Sequence, residues 1–147
     1  GGSPETSVSG PASDHSPSPT PRPSPTSATL SPYLDVAWLP IIGPTSTLLL
    51  RRLTTDLRHN GPHTTNTDDL AASLGIKPGT GSRYAQLPSA LRRLNQFALI
   101  QYDHTAATAH IRGTIPRLSR NQLNRLPPAI NQRIRRCETL LAHEGAA

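Results

Sequence analysis

Sulfur is nearly missing from this 147-residue chain, which has one cysteine, Cys137, and no methionine. One cysteine excludes an internal disulfide and any zinc site built on cysteines. Without an initiator Met, Gly1-Gly2-Ser3 reads as a processed or truncated start. No apolar run approaches the roughly 20 residues that span a bilayer. The first 30 residues also lack an apolar signal-peptide core. These absences predict a cytoplasmic protein with no membrane partner. Lysine is reduced to Lys77, so the 15 basic residues are otherwise arginine. Acidic residues number 9, for a formal charge of +6. Residues 1–32 carry a net −1 and residues 33–147 a net +7. A surplus confined to one part of the chain suits a polyanionic partner, nucleic acid first.

Eight of the 16 prolines lie in residues 1–32. The run Ser16-Pro17-Ser18-Pro19-Thr20-Pro21-Arg22-Pro23-Ser24-Pro25 can make neither a helix nor a ladder strand. Residues 1–32 therefore read as a disordered, partly polyproline tail. Ser31 as N-cap with Pro32 behind it starts a short helix that Pro40 should end. Gly43-Pro44 opens a longer helix, 44–59, with Leu49, Leu50, Leu53 and Leu57 inward and Arg51, Arg52 and Arg58 outward. His63 to Asn66 reads as a polar loop. A short helix follows, 67–74, capped by Thr65 or Thr67, with Leu70, Ala71 and Leu74 inward and Gly75 at its end. A glycine-rich loop then leads to a third helix, about 86–98, whose start Pro88 marks. Its inner stripe is Leu87, Leu91, Leu94 and either Phe97 or Ala98. Its outer stripe is Ser89, Arg92, Arg93 and Gln96.

The hydrophobic period then falls from 3.6 to 2. Strands at 99–103 and 108–115 form a hairpin, with His104 in its turn. Ser119-x-x-Gln122 is a capping box, and Pro127-Pro128 divides the helical region that follows. The fold class is therefore mainly α with a small β-hairpin, an α+β arrangement.

The order of three helices and a hairpin is that of a winged helix-turn-helix. The phrases Leu70-Ala71-x-x-Leu74-Gly75-Ile76 and Leu91-Arg92-Arg93-Leu94-x-x-Phe97-x-Leu99-Ile100 carry the match. The chain resembles winged helix-turn-helix DNA-binding proteins over roughly residues 40–116. Tyr33-Leu34-Asp35-x-x-Trp38-Leu39-Pro40-x-x-Gly43-Pro44-Thr45 and Leu126-Pro127-Pro128-Ala129 resemble an uncharacterised actinobacterial family of predicted DNA-binding proteins. The expected organisation is a tail (1–32), a winged-helix domain (33–118) and a C-terminal helical extension (119–147). One departure stands out. Such helix pairs are usually joined by three or four residues, and here about eleven, 75–85, intervene. Either the third helix starts earlier, near Ser82, or the turn carries an insertion.

The implied function is sequence-specific binding of double-stranded DNA by a transcriptional regulator. The third helix would enter the major groove, with Ser89, Arg92, Arg93 and Gln96 facing base edges. Lys77 and Arg83 of the loop would touch DNA, or the loop would keep the helix out of the groove. Arg51 and Arg52 of the first long helix would hold phosphates, and Arg112 on the wing would reach the adjacent backbone or minor groove. Ile130, Ile134, Cys137 and Leu141 form a heptad-like stripe. That stripe either joins two copies into a homodimer or covers the domain's own core. The alternative function is a protein–protein interaction module in a replication, partition or regulatory assembly. A ligand-sensing regulator ranks behind both, since little chain remains to build a pocket.

Signals for catalysis are weak, and the expectation is a non-enzyme without cofactor. Gly75-x-x-Pro78-Gly79-Thr80-Gly81-Ser82 lacks the Lys-Ser/Thr and the preceding strand of a phosphate loop. His59 and His63 are separated by Gly61-Pro62, so they do not share a helical face and no metal site is expected. Asp68-Asp69 suits a helix N-terminus. No Gly-x-Ser-x-Gly elbow is present.

Overall fold

The structure is a computed structural model that describes residues 5–9, 26–103, 105–106 and 108–145. It is mainly helical with a small sheet, the α+β class expected. In chain order the elements begin with strands β1 (Glu5–Ser9) and β2 (Thr26–Ala28) and a π-helical turn at Leu34–Trp38. Helix α1 (Leu39–Asn60), strand β3 (His63–Asn66) and helices α2 (Thr67–Ser73) and α3 (Ser82–Gln96) follow. Strands β4 (Ile100–Asp103), β5 (Thr108–Ile111) and β6 (Thr114–Pro116) precede helices α4 (Arg120–Asn124) and α5 (Pro128–Gly145).

Strands in the segment read as an unpaired tail are the largest correction. β1 lies inside the sheet of order β3-β1-β5-β4, antiparallel to β3 and parallel to β5. Thr6 and Val8 are both buried there. β2 pairs with β6 in a second, two-stranded sheet. Both strands fall in proline-free windows, between Pro4 and Pro11 and between Pro25 and Pro32. A window of that length leaves room for ladder hydrogen bonds that the average composition of the segment hides. The partner strand β3 occupies the expected loop at His63–Asn66, where the backbone needs a partner for its donors and acceptors.

Pro40 does not end the first helix. The Leu39 N–H donates to the Leu34 carbonyl, an i to i−5 bond that widens the helix just ahead of the proline. Ser31 does not cap with its hydroxyl, which is buried without a partner; its carbonyl accepts the Leu34 N–H instead. The break comes at Gly43, whose φ of 84° and ψ of 169° turn the chain, and Pro44 restarts the helix. The cap of α2 is Asn66, between the two threonines expected, and its side chain accepts the Asp69 N–H at 2.7 Å. Helix α3 starts at Ser82, with Pro88 inside it. The second hairpin strand is two strands, β5 and β6, separated at Arg112-Gly113, where Gly113 has φ 77°. His104 lies outside the described residues. The Ser119–Gln122 capping box is formed.

One core joins these parts. Leu49, Leu50, Leu53, Leu87, Leu94, Ile100 and Ile111 are buried in it with Trp38 and Tyr33. Trp38 packs edge-on to Phe97, with centroids 6.0 Å apart, and its Nε1 donates to the Pro116 carbonyl at 2.8 Å. The Tyr33 hydroxyl donates to Glu138 Oε1 at 2.9 Å and accepts the Leu118 N–H at 2.9 Å. Three distant segments therefore meet at one oxygen. Burial pushes the Tyr33 hydroxyl well above tyrosine's ordinary range. The Leu118 N–H pulls the other way, and the Glu138 carboxylate adds to the rise.

Helices α2 and α3 end in the same six-residue turn but with different residues at its left-handed position. After α2, the Gly75 N–H bonds the Ala72 carbonyl and the Ile76 N–H the Ala71 carbonyl, with Gly75 at φ 73°. After α3, the Ala98 N–H bonds Asn95 and the Leu99 N–H bonds Leu94, with Ala98 at φ 58°. An L side chain in that region costs about 1–2 kcal/mol.

Two predictions follow from these contacts. Ala98→Gly relieves the strained turn, and we expect a gain of about 0.5–1 kcal/mol, or roughly 2–4 °C in Tm by calorimetry. Tyr33→Phe orphans a buried N–H and should cost about 1–3 kcal/mol. Because the folded hydroxyl resists ionisation, wild-type stability is full below about pH 10 and falls as pH rises above it. Chemical denaturation between pH 9 and 12 should show that loss in wild type and a flatter profile in Tyr33→Phe.

Candidate nucleic-acid interface

Helix α3 is held on three sides. The Tyr84 hydroxyl donates to Asp68 Oδ1 at 2.7 Å and fixes α3 against α2. Asn95 Oδ1 accepts the Tyr102 N–H at 3.0 Å and fixes it against β4. The Ser46 hydroxyl reaches the Ala90 carbonyl at 3.5 Å, which sets its distance from α1. Leu87, Ala90, Leu91 and Leu94 are buried, so the opposite face is turned outward. Ser89, Arg92, Arg93 and Gln96 are all exposed there. The outer stripe read from the periodicity is therefore a surface.

These four side chains border one open cleft of about 460 Å³, closed on its other side by Ile42 to Ser46. Arg92 reaches the Ser89 hydroxyl at 3.4 Å, and Arg93 the Ile42 carbonyl at 3.5 Å. Gln86 lines the same cleft. Sequence reasoning missed it because the earlier start of α3, at Ser82, was only one of two alternatives. It also missed the proximity of the Gly43-Pro44 break, which was read as a helix start and nothing more.

Arg51 and Arg52 sit elsewhere. They line a separate hollow with Leu48, Ser73 and Leu74. Arg51 pairs with Asp35, and Arg52 lies 3.9 Å from Asp56. Both are thus engaged with carboxylates, unlike the arginines of α3, which have no ion-pair partner among the described residues. Lys77 is exposed in the middle of the loop between α2 and α3, and Arg83 is exposed in the first turn of α3. That loop is eight residues long, shorter than the eleven read from the sequence, because α3 starts earlier. Arg112 is exposed at the break between β5 and β6, and His110 is exposed on β5.

The C-terminal stripe does not face outward. Ile134 is 0 % exposed and Cys137 9 %, both within the chain's own core. Ile130 and Leu141 are partly buried against that core. Of the two readings of this stripe, the packing realises the cover over its own domain. Ile134 and Cys137 are thus spent on the chain's own core, while Ile130 and Leu141 keep part of their surface exposed.

Among the described residues no group of His, Cys, Asp or Glu is arranged to hold a metal ion. His63 instead turns Nδ1 to the Gly61 carbonyl at 2.9 Å. No described helix is long and apolar enough to cross a membrane.

Comparison with known proteins gives no match. No family model, no curated protein and no solved structure is similar enough to the chain to place it. The functional reading therefore rests on the geometry of the α3 face.

Ile134→Ala removes a fully buried side chain and should cost about 2–5 kcal/mol. Urea denaturation should show that loss with no dependence on protein concentration. A concentration-dependent midpoint would instead place Ile134 between two copies.

Proposed function

We propose that the chain binds double-stranded DNA through α3, as a sequence-specific regulator of transcription. The observation that carries this reading is the outward face of α3. It offers two arginines, a glutamine and a serine on a cleft that no carboxylate lines. Arg can bind guanine through two hydrogen bonds, and Gln can do the same for adenine. A helix with its side chains is about as wide as the major groove, roughly 12 Å.

The remaining geometry supports the reading. α2 crosses to α3 through the Tyr84–Asp68 bond, and the β4–β5 hairpin follows α3 directly. This order of elements is the one a winged helix-turn-helix uses, with the hairpin as wing. Lys77 in the α2–α3 loop, Arg83 in the first turn of α3 and Arg112 after β5 are exposed, where phosphate contacts would fall. The net +7 of residues 33–147 adds a long-range attraction. Arg51 and Arg52 rank lower as phosphate contacts, because both face carboxylates. The reading does not need a dimer built on the α5 stripe.

The test is a salt titration of the 147-residue chain on random duplex DNA. We expect affinity to fall steeply between low and physiological salt, with a log–log slope near −0.9 per phosphate contact. Arg92→Ala with Arg93→Ala should weaken binding at least tenfold while leaving Tm within a few degrees, since both side chains are exposed. Absent or salt-insensitive binding would overturn the DNA reading and favour a protein partner.

A further inference from the structure

β1 lies between β3 and β5, antiparallel to the first and parallel to the second. β3 and β5 therefore run antiparallel to each other. Sixteen residues, 10–25, separate β1 from β2 in the chain, and six of them are proline. No tight turn ties β1 to either neighbour, whereas β4 and β5 are joined by the four residues 104–107.

The registers allow the sheet to close without β1. Ser7 stands opposite Thr64 on one side and Thr108 on the other. Val8 stands opposite His63 and Ala109 in the same way. With β1 removed, Thr64 faces Thr108 and His63 faces Ala109, and both pairs belong to one antiparallel register. Residues opposite one another across a ladder share a face of the sheet, so closure needs no one-residue slip. Ala109, already buried, stays inward. An open slot would leave backbone donors and acceptors of β3 and β5 without partners. An approach by one strand spacing, about 4.8 Å, pairs them again. The resulting order, β3-β5-β4, keeps the same two edge strands.

Little side-chain burial opposes the release of β1. Of its side chains Thr6 and Val8 are buried, and only Val8 is apolar. That burial works against the entropy of ordering five residues and closing a long connection. β3 is the flank free to move. β5 is fixed through β4, whose Tyr102 N–H bonds Asn95 of α3. β3 instead follows Gly61, at φ 70°, and its last residue, Asn66, caps α2. A shift of β3 is therefore carried into α2 and, through the Tyr84–Asp68 bond, to α3.

We propose that β1 is a removable spacer strand. When it leaves, β3 closes onto β5 with Thr64 opposite Thr108, and the start of α2 moves with it. The device links a strand near the start of the chain to the α2–α3 pair. It does not rest on the DNA reading.

The test uses the 147-residue chain, labelled with 15N and 13C. In wild type, hydrogen exchange should be at least tenfold faster at the β1 amides than at Leu49, Leu50 and Leu53 of α1, through a local opening. Val8→Pro removes a ladder donor from an inner strand and should release β1. The α1 amides should stay protected in that variant. Hα–Hα NOEs should appear between Thr64 and Thr108 or between His63 and Ala109, and the Asp68 and Tyr84 amides should shift. Wild-type β1 amides that exchange as slowly as the α1 leucines would overturn the removable strand. So would a Val8→Pro chain that fails to fold or keeps β1 paired. A folded variant with β1 released, but with β3 and β5 unprotected and those NOEs absent, would overturn the closure.

Discussion

The Tyr33 hydroxyl ties together parts of the chain that lie far apart in sequence. It donates a hydrogen bond to Glu138 on α5 and accepts one from the Leu118 amide just after β6. Two residues of the same helical segment do related work, since Trp38 one turn on bonds the Pro116 carbonyl. A buried hydroxyl with both its donor and acceptor roles filled tolerates little movement, because each lost partner leaves a desolvated polar group. The N-terminal helical segment, the exit of the hairpin and α5 are therefore locked to one another. α5 is part of the domain and not an appendage to it.

That lock sets the frame in which α3 is presented. The π-helical turn ending at Trp38 runs into the Gly43 break, and the break brings the restart of α1 against Ala90 of α3. On the other side α3 is fastened to α2 through Tyr84 and to β4 through Asn95. All of these contacts use the inner and lateral faces of the helix. Its outward face is left with Ser89, Arg92, Arg93 and Gln96, and with no internal task beyond two long contacts. A rigid helix presenting flexible donors is a sound base for reading a groove, since precise placement limits the ordering cost at binding.

Much of this was legible in the sequence, and the failures have physical causes. The leucine stripes of α1 and α3 and the alternation of the hairpin predict what is buried, because burial follows helix and strand periodicity. The α2 end was legible through Gly75, since glycine suits the left-handed turn there. The end of α3 uses Ala98 in the same conformation, a position no residue preference would select. Pro40 and Pro88 misled for the opposite reason. A proline inside a helix is rare, and tertiary packing overrode the local preference at both sites. The strand β1 was hidden because a composition average over 32 residues says nothing of a five-residue window. The cleft was the least visible feature. Its walls come from positions near 44 and near 92, and no spacing rule joins residues so far apart in the chain.

The most direct measurement is an amide NMR titration of the labelled full chain with a short DNA duplex. If α3 reads the groove, the largest shifts fall on the outward positions of Ser82–Gln96, with smaller ones at Lys77 and Arg112. Shifts that spare α3 and gather on the α5 surface or the Leu48 hollow would contradict this placement of the interface.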